Sequence, residues 1–151
     1  MIVFPNAKIN IGLRISGRRD DGFHNIETLM VPIKLADALE ITPATDGQSG
    51  FTLSGIPLGG DIEANLCVKA FRLMQKRYKL PETKIHLHKV IPVGAGLGGG
   101  SSDAAFTLKL LNRLYKLKIC NQELKDIATE LGSDCPFFIE NAPSLATGRG
   151  E

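Results

Sequence analysis

The sequence predicts an α+β domain. Three observations carry that prediction. Apolar residues alternate with period two through the first third of the chain, helical spacing takes over after the Gly-Gly-Asp stretch at 59–61, and a glycine-rich segment lies between a strand-like run and a helix-like run.

The alternation begins at Ala7, Ile9, Ile11, Leu13 and Ile15, which predicts a strand with one buried, apolar face and Lys8, Asn10, Gly12 and Arg14 on the other. Residues 17–22 (Gly-Arg-Arg-Asp-Asp-Gly) form a polar, glycine-bounded loop, and Ile26–Leu35 reads as the second strand of a hairpin. Asp20 and Asp21 adjoin a turn glycine and are turn residues rather than an acid/base pair. Short strands follow at Ala38–Thr42 and Phe51–Leu53, separated by a turn-rich stretch. Leu66, Ala70, Leu73, Met74 and Tyr78 then sit at helical spacing, with Asn65 near the start and Pro81 beyond the end. Lys84–Val90 is a further strand. A helix is expected from about Asp103 to Leu117, on the stripe Ala104, Ala105, Leu108, Leu111 and Tyr115. Asn121 is a good N-cap for another helix, carrying Leu124, Ile127, Ala128 and Leu131 and closed by Gly132, and a last short strand is expected around Leu145–Thr147.

Composition is that of an ordinary globular protein: 151 residues, 43% hydrophobic, 23% charged, formal net charge +2. At this size about two-thirds of the unfolded surface can be buried, enough for one core. The charge is too mild to draw nucleic acid or a membrane surface by itself, no stretch approaches 18 apolar residues, and the first residues lack the pattern of a signal peptide. Cys67, Cys120 and Cys135 are widely spaced, without a C-x-x-C pair, and read as free thiols. The expectation is a cytoplasmic protein without nucleic-acid or membrane partners.

The segment Pro92-Val93-Gly94-Ala95-Gly96-Leu97-Gly98-Gly99-Gly100-Ser101-Ser102-Asp103 carries the most chemistry. Its glycines let backbone N–H groups approach a ligand, and a helix N-terminus adds unpaired donors and positive potential, a combination suited to a phosphate chain. No lysine follows the last glycine, so it is not a Walker A loop. Its place in the chain and the missing acidic residue about 20 positions on argue against a dinucleotide-binding unit. His86 and His88 share a strand face at metal-ligand spacing, but no third ligand cluster accompanies them, so no metal site is expected.

This segment resembles the second glycine-rich motif of the GHMP small-molecule kinases. Pro5-Asn6-Ala7-Lys8-Ile9-Asn10-Ile11-Gly12-Leu13 is similar to that family's N-terminal strand. Arg18-Arg19-Asp20-Asp21-Gly22-Phe23-His24 resembles the turn of the branch that acts on 4-diphosphocytidyl-2-C-methyl-D-erythritol. Asn65-Leu66, Lys89 through Asp103, and Leu131 through Phe138 continue the likeness in the same order. The resemblance implies the GHMP-kinase N-terminal fold over residues 1–151, a ribosomal-protein domain 2-like α+β domain with a left-handed βαβ crossover against the usual handedness. The family's second, C-terminal domain and its third glycine-rich motif have no counterpart before Glu151.

The activity implied is ATP-dependent phosphorylation of the 2-hydroxyl of that cytidine diphosphate substrate, in non-mevalonate isoprenoid precursor biosynthesis, with Mg²⁺. The catalytic base falls on Asp134 and the catalytic lysine on Lys8. Asp134 would orient the hydroxyl and accept its proton late, while Lys8 stabilises charge on the attacking oxygen or the γ-phosphoryl group. Asp134 could instead cap a short helix started near Pro136, and Lys8 could be a solvated strand lysine. Phe23 and His24 would grip the cytosine base and Asn10 the substrate hydroxyls. Asn65, Lys89, Pro92, Gly94, Ala95, Gly96, Leu97, Gly98, Gly99, Gly100, Ser101 and Ser102 would bind ATP, with helix capping an open alternative for Asn65 and the serines. Another GHMP kinase and a noncatalytic nucleotide-binding module are the alternatives. With one cleft wall missing, this length of chain is expected to show little activity alone and to self-associate through the exposed interdomain face.

Overall fold

The computed structural model describes residues 1–18 and 24–146. A two-residue strand too short to show any periodicity, β1 (Ile2–Val3), opens the chain. The alternating segment then forms a long antiparallel hairpin of β2 (Asn6–Arg18) and β3 (His24–Ala36). Its register pairs Lys8 with Pro32 and Asn10 with Met30 on one face, and Ile9 with Val31 and Ile11 with Leu29 on the other. The register shifts between Ile11 and Arg14, where Gly12 takes a φ of +67°, so the glycine supplies the backbone of a β-bulge. The turn residues 19–23, with Asp20 and Asp21, lie outside the described residues.

β4 (Ala38–Pro43), β5 (Gly50–Gly55) and β6 (Thr83–Lys89) join β1 in a four-stranded sheet of order β1-β4-β6-β5. β4 runs antiparallel to β6, whereas β5 runs parallel to it, and α1 (Leu66–Tyr78) makes the crossover that a parallel pair requires. At the end of this pair Gly55 has a φ of +80°, and a Cβ there would lie 2.2 Å from the Lys89 carbonyl oxygen, so only glycine permits the approach. The remaining elements are α2 (Gly99–Leu114), α3 (Asn121–Thr129), the single turn α4 (Phe137–Glu140) and β7 (Ser144–Ala146), which completes a second sheet of order β2-β3-β7.

The core lies between the four-stranded sheet and the helices. Leu39, Ile41, Ile85 and Leu87 meet Ala70, Phe71 and Met74 of α1, Ala104, Ala105, Leu108 and Leu111 of α2, and Leu124 and Ile127 of α3. Each large side chain buried there contributes about 1.5–3 kcal/mol. The outer face of the second sheet departs from the sequence reading: Ile9, Ile11, Leu29 and Leu145 are cross-strand neighbours on it and are exposed, Leu145 by 71%. The apolar face of β2 expected to be buried is therefore open at Ile9 and Ile11, while Lys8 on the opposite face is buried.

Several boundaries differ from the sequence reading. α2 begins at Gly99 rather than Asp103 and ends at Leu114 rather than Leu117, so the last glycines and both serines belong to its first turn. Asn121 is the first helical residue of α3, and Cys120, without a side-chain hydrogen bond, occupies the cap. β7 begins at Ser144, and Thr147 lies outside the described residues.

Candidate active site

Between β6 and α2 the chain makes an alternating turn in which Gly94, Gly96 and Gly98 take φ of +72°, +74° and +70° while Ala95 and Leu97 do not. Successive N–H groups in such an alternation converge on one side and form a concavity for an anion. α2 continues it. The first helical bond runs from Ser102 N to Gly98 O at 2.9 Å, which leaves the amides of Gly99, Gly100 and Ser101 without intrahelical acceptors, and no side chain caps them. Together these bound a cleft of about 310 Å³ lined by Leu58, Asn65, Leu66, Lys89, residues 92–101 and Asp103. Of the residues expected to bind ATP, all but Ser102 line it. Ser102 is fully buried in the first turn of α2, and its Oγ has no hydrogen-bond partner. A second hollow of about 250 Å³, walled by Phe51, Leu53, Leu58, Ile62 and Val93, adjoins the first and shares Leu58, Asn65 and Val93 with it.

β2 delivers the lysine. Lys8 is 4% exposed, and its Nζ lies 3.4 Å from Asp134 Oδ2 and donates to Asn10 Oδ1 at 3.2 Å. Its backbone N–H donates to Leu97 O at 2.9 Å, which ties the strand to the glycine turn. Gly98 leaves room for its stem: a Cβ there would stand 3.1 Å from Lys8 Cγ and Cε and 3.0 Å from Phe138 Cζ. Lys8 is therefore no solvated strand lysine. Asp134, about a third exposed, sits in the turn before α4, and α4 has no side-chain cap, so the capping role is not realised. Asn65 does cap: its Oδ1 accepts from Cys67 N at 2.9 Å while the residue lines the cleft. The serines do not cap α2, whose N-cap is Gly98.

Sequence reasoning missed two carboxylates beneath the cleft. Lys89 Nζ donates to Asp37 Oδ2 and, at 2.9 Å, to Asp103 Oδ2, and all three side chains are buried. Asp37 Oδ1 accepts from Val90 N at 2.5 Å and Ile91 N at 2.8 Å. Burial pushes the Asp103 carboxyl up to about 7 against the pull of Lys89. Burial also works against the Lys89 ammonium, but the Asp103 and Asp37 carboxylates outweigh it and hold its pKa above the usual lysine value. The only signal for Asp103 was its place after the serines. Asp37 gave none.

Phe23 lies outside the described residues, as does the His24 side chain, whose backbone pairs with Arg18 at the hairpin end. Asn10 is exposed beside Lys8. His86 bonds Thr52 Oγ1 at 2.8 Å and Ser54 Oγ at 3.0 Å, and His88 bonds Ser54 Oγ at 2.9 Å, so neighbouring hydroxyls on β5 occupy both rings.

The family model for the N-terminal domain of GHMP kinases matches residues 65–141, which hold the glycine turn, α2 and Asp134. The chain belongs to the GHMP kinase family. A curated relative from Azobacteroides pseudotrichonymphae, a 4-diphosphocytidyl-2-C-methyl-D-erythritol kinase, is 56% identical over 99% of this chain and 55% of its own length. A crystal structure of a 4-(cytidine 5'-diphospho)-2C-methyl-D-erythritol kinase superposes with a TM-score of 0.84 at 39% identity, over 100% of this chain and 53% of that one. Phosphomevalonate kinase of Streptococcus pneumoniae, at 16% identity and a TM-score of 0.72 over 98% of this chain and 50% of its own, shares the GHMP-kinase fold. The chain thus spans about half the length of the curated relatives it matches. Among the described residues, no helix is long and apolar enough to cross a membrane.

Proposed function

We propose that this chain forms the nucleotide-binding half of an ATP-dependent kinase that phosphorylates the 2-hydroxyl of 4-diphosphocytidyl-2-C-methyl-D-erythritol in the cytoplasm, on the route to isoprenoid precursors. The observation that carries the proposal is the contact of two chemistries at Gly98: the anion-binding turn and helix start on one side, the buried Lys8 with Asp134 on the other. The triphosphate lies along Gly94–Ser101, and the apolar hollow beside Asn65 takes the base. The resemblance implies that Asn10 meets the substrate hydroxyls and that Phe23 and His24 grip the cytosine base.

Asp134 orients the acceptor hydroxyl and takes its proton as the oxygen bonds to the γ-phosphorus and the bond to the β-bridging oxygen breaks, releasing ADP. Lys8 stabilises the charge that develops on the transferring group. Mg²⁺ reaches such sites with the phosphates and needs only one or two protein oxygens. Ser101, in the first turn of α2 and lining the cleft, would supply such an oxygen, and the ion would neutralise phosphate charge.

The face bearing Ile9, Ile11, Leu29 and Leu145 is apolar and exposed, and we assign it to the further half present in the relatives. Without that half, copies of this chain pair through the face. The test mixes ATP, Mg²⁺ and the cytidyl substrate with this chain and, separately, with a chain of the relatives' full length, and follows ADP release. Turnover only in the longer chain is expected. Absence of substrate-dependent ADP release there would refute the assignment.

A further inference from the structure

The Asp37 carboxylate occupies an unusual position for a residue in a one-residue link. It joins β3 of one sheet to β4 of the other, and its backbone N–H donates to Pro5 O at 2.9 Å, beside the start of β2. Its side chain is fully buried and takes its partners from the approach to the glycine turn. There one oxygen accepts from the amides of Val90 and Ile91, the two residues that lead into Pro92, and the other accepts from Lys89. Lys89 is held from above as well: its Nζ donates to Asp103 of α2, and a Cβ at Gly99 would lie 2.9 Å from it. A single carboxylate thus fixes where the turn leaves β6 and, through Lys89, where α2 begins.

We propose that Asp37 is a positioning residue for the triphosphate: it sets the register of the Gly94–Ser101 donors against the sheet junction, and through Lys89 the height of the first turn of α2. The inference rests on the nucleotide-binding reading above. It predicts an effect weighted to the phosphate end, because the walls of the adjoining apolar hollow come, Val93 apart, from β5 and the segment before α1. The sign is also diagnostic. Were Asp37 only a buried negative charge near an anion site, removing it would tighten phosphate binding; as a positioning group, its removal weakens it.

The test titrates a non-hydrolysable ATP analogue and, by competition, adenosine against a chain of the relatives' full length carrying Asp37→Asn or Asp37→Ala. The asparagine is nearly isosteric and its Oδ1 can still accept from Val90 and Ile91, but its NH₂ cannot accept from the Lys89 ammonium. Loss of a hydrogen bond to a charged group corresponds to about 10-fold to 100-fold in affinity. Asp37→Asn is expected to weaken the analogue roughly 10-fold and Asp37→Ala roughly 100-fold, with adenosine within about twofold of wild type. If Asp37→Ala fails to fold, Asp37→Asn with Asp103→Asn, which frees Lys89 from the α2 side, carries the same expectation. Unchanged or tighter analogue binding, or equal loss for analogue and adenosine, overturns the proposal. A wild-type protein that does not bind the analogue removes the nucleotide reading beneath it, an outcome distinct from any behaviour of the variants.

Discussion

Replacing Gly98 by alanine separates two roles that a glycine in a phosphate turn can have. Gly96 and Gly98 have nearly the same backbone, with φ of +74° and +70°, so an alanine at either position incurs the same left-handed strain, about 1–2 kcal/mol. Their surroundings differ. A Cβ at Gly96 meets nothing within 4 Å, whereas at Gly98 it meets Phe138 Cζ at 3.0 Å and the Lys8 stem at 3.1 Å. Phe138 is fully buried in the core and cannot yield, so Lys8 must move, and its ammonium lies 3.4 Å from Asp134. If a misplacement of about 1 Å costs on the order of 10²-fold, a shift of a few tenths of an ångström costs roughly 3- to 10-fold in kcat. Both variants should melt about 2–8 °C below wild type, from the shared strain. In a chain of the relatives' full length, Gly96→Ala should lose affinity for ATP and keep most of kcat, while Gly98→Ala loses both. Equal kcat in the two variants would show that Lys8 is not braced by this glycine.

Two other predictions concern carboxylates. Asp134→Asn keeps an oxygen facing Lys8 but loses the proton acceptor, so kcat should fall by about 10²–10⁴ with the melting temperature nearly unchanged, since Asp134 caps no helix. A large loss of stability with normal turnover would make Asp134 structural. Asp103, pushed up to about 7 by burial, titrates near 3.9 when unfolded, so between those values the folded chain holds a proton that the unfolded chain has released. Stability should therefore fall as pH rises from about 4 to 7, and thermal melts of Asp103→Asn across that range should show a shallower slope. An identical slope in the variant would place the titration elsewhere.

What was legible in the sequence was local. The glycine turn and the Asn65 cap are decided by backbone chemistry within a few residues, and period alone identified the hairpin and the central helices. The start of α2 was misplaced because glycine is a poor helix former, at about 1 kcal/mol per residue relative to alanine. Gly99 is there because a Cβ would strike both Lys89 Nζ and Ile91 Cγ2 at 2.9 Å, a tertiary constraint invisible in the local pattern. The same holds for Asp37. One aspartate between two strands carries no local signal, and only the pairing of β4 with β6 brings it to Lys89. The pairing of Lys8 with Asp134 came from family resemblance, since no periodicity relates positions so far apart in the chain.

The contact between β2 and the glycine turn has a consequence for how the two halves of phosphoryl transfer are aligned. Lys8 donates its backbone N–H to Leu97 O and packs its stem on Gly98, so the lysine proposed to stabilise the transferring group is anchored on the turn proposed to hold the triphosphate. Any motion of the turn carries the lysine with it. In-line transfer depends on the relative placement of hydroxyl, γ-phosphorus and charge-stabilising groups rather than on where each sits in the molecule. On the proposed function, anchoring the lysine to the turn makes one of those relations nearly invariant and leaves the acceptor's own position as the variable. Substitutions at Gly98 and Lys8 should for that reason be strongly non-additive, while Gly96, which touches neither, should combine with either one additively.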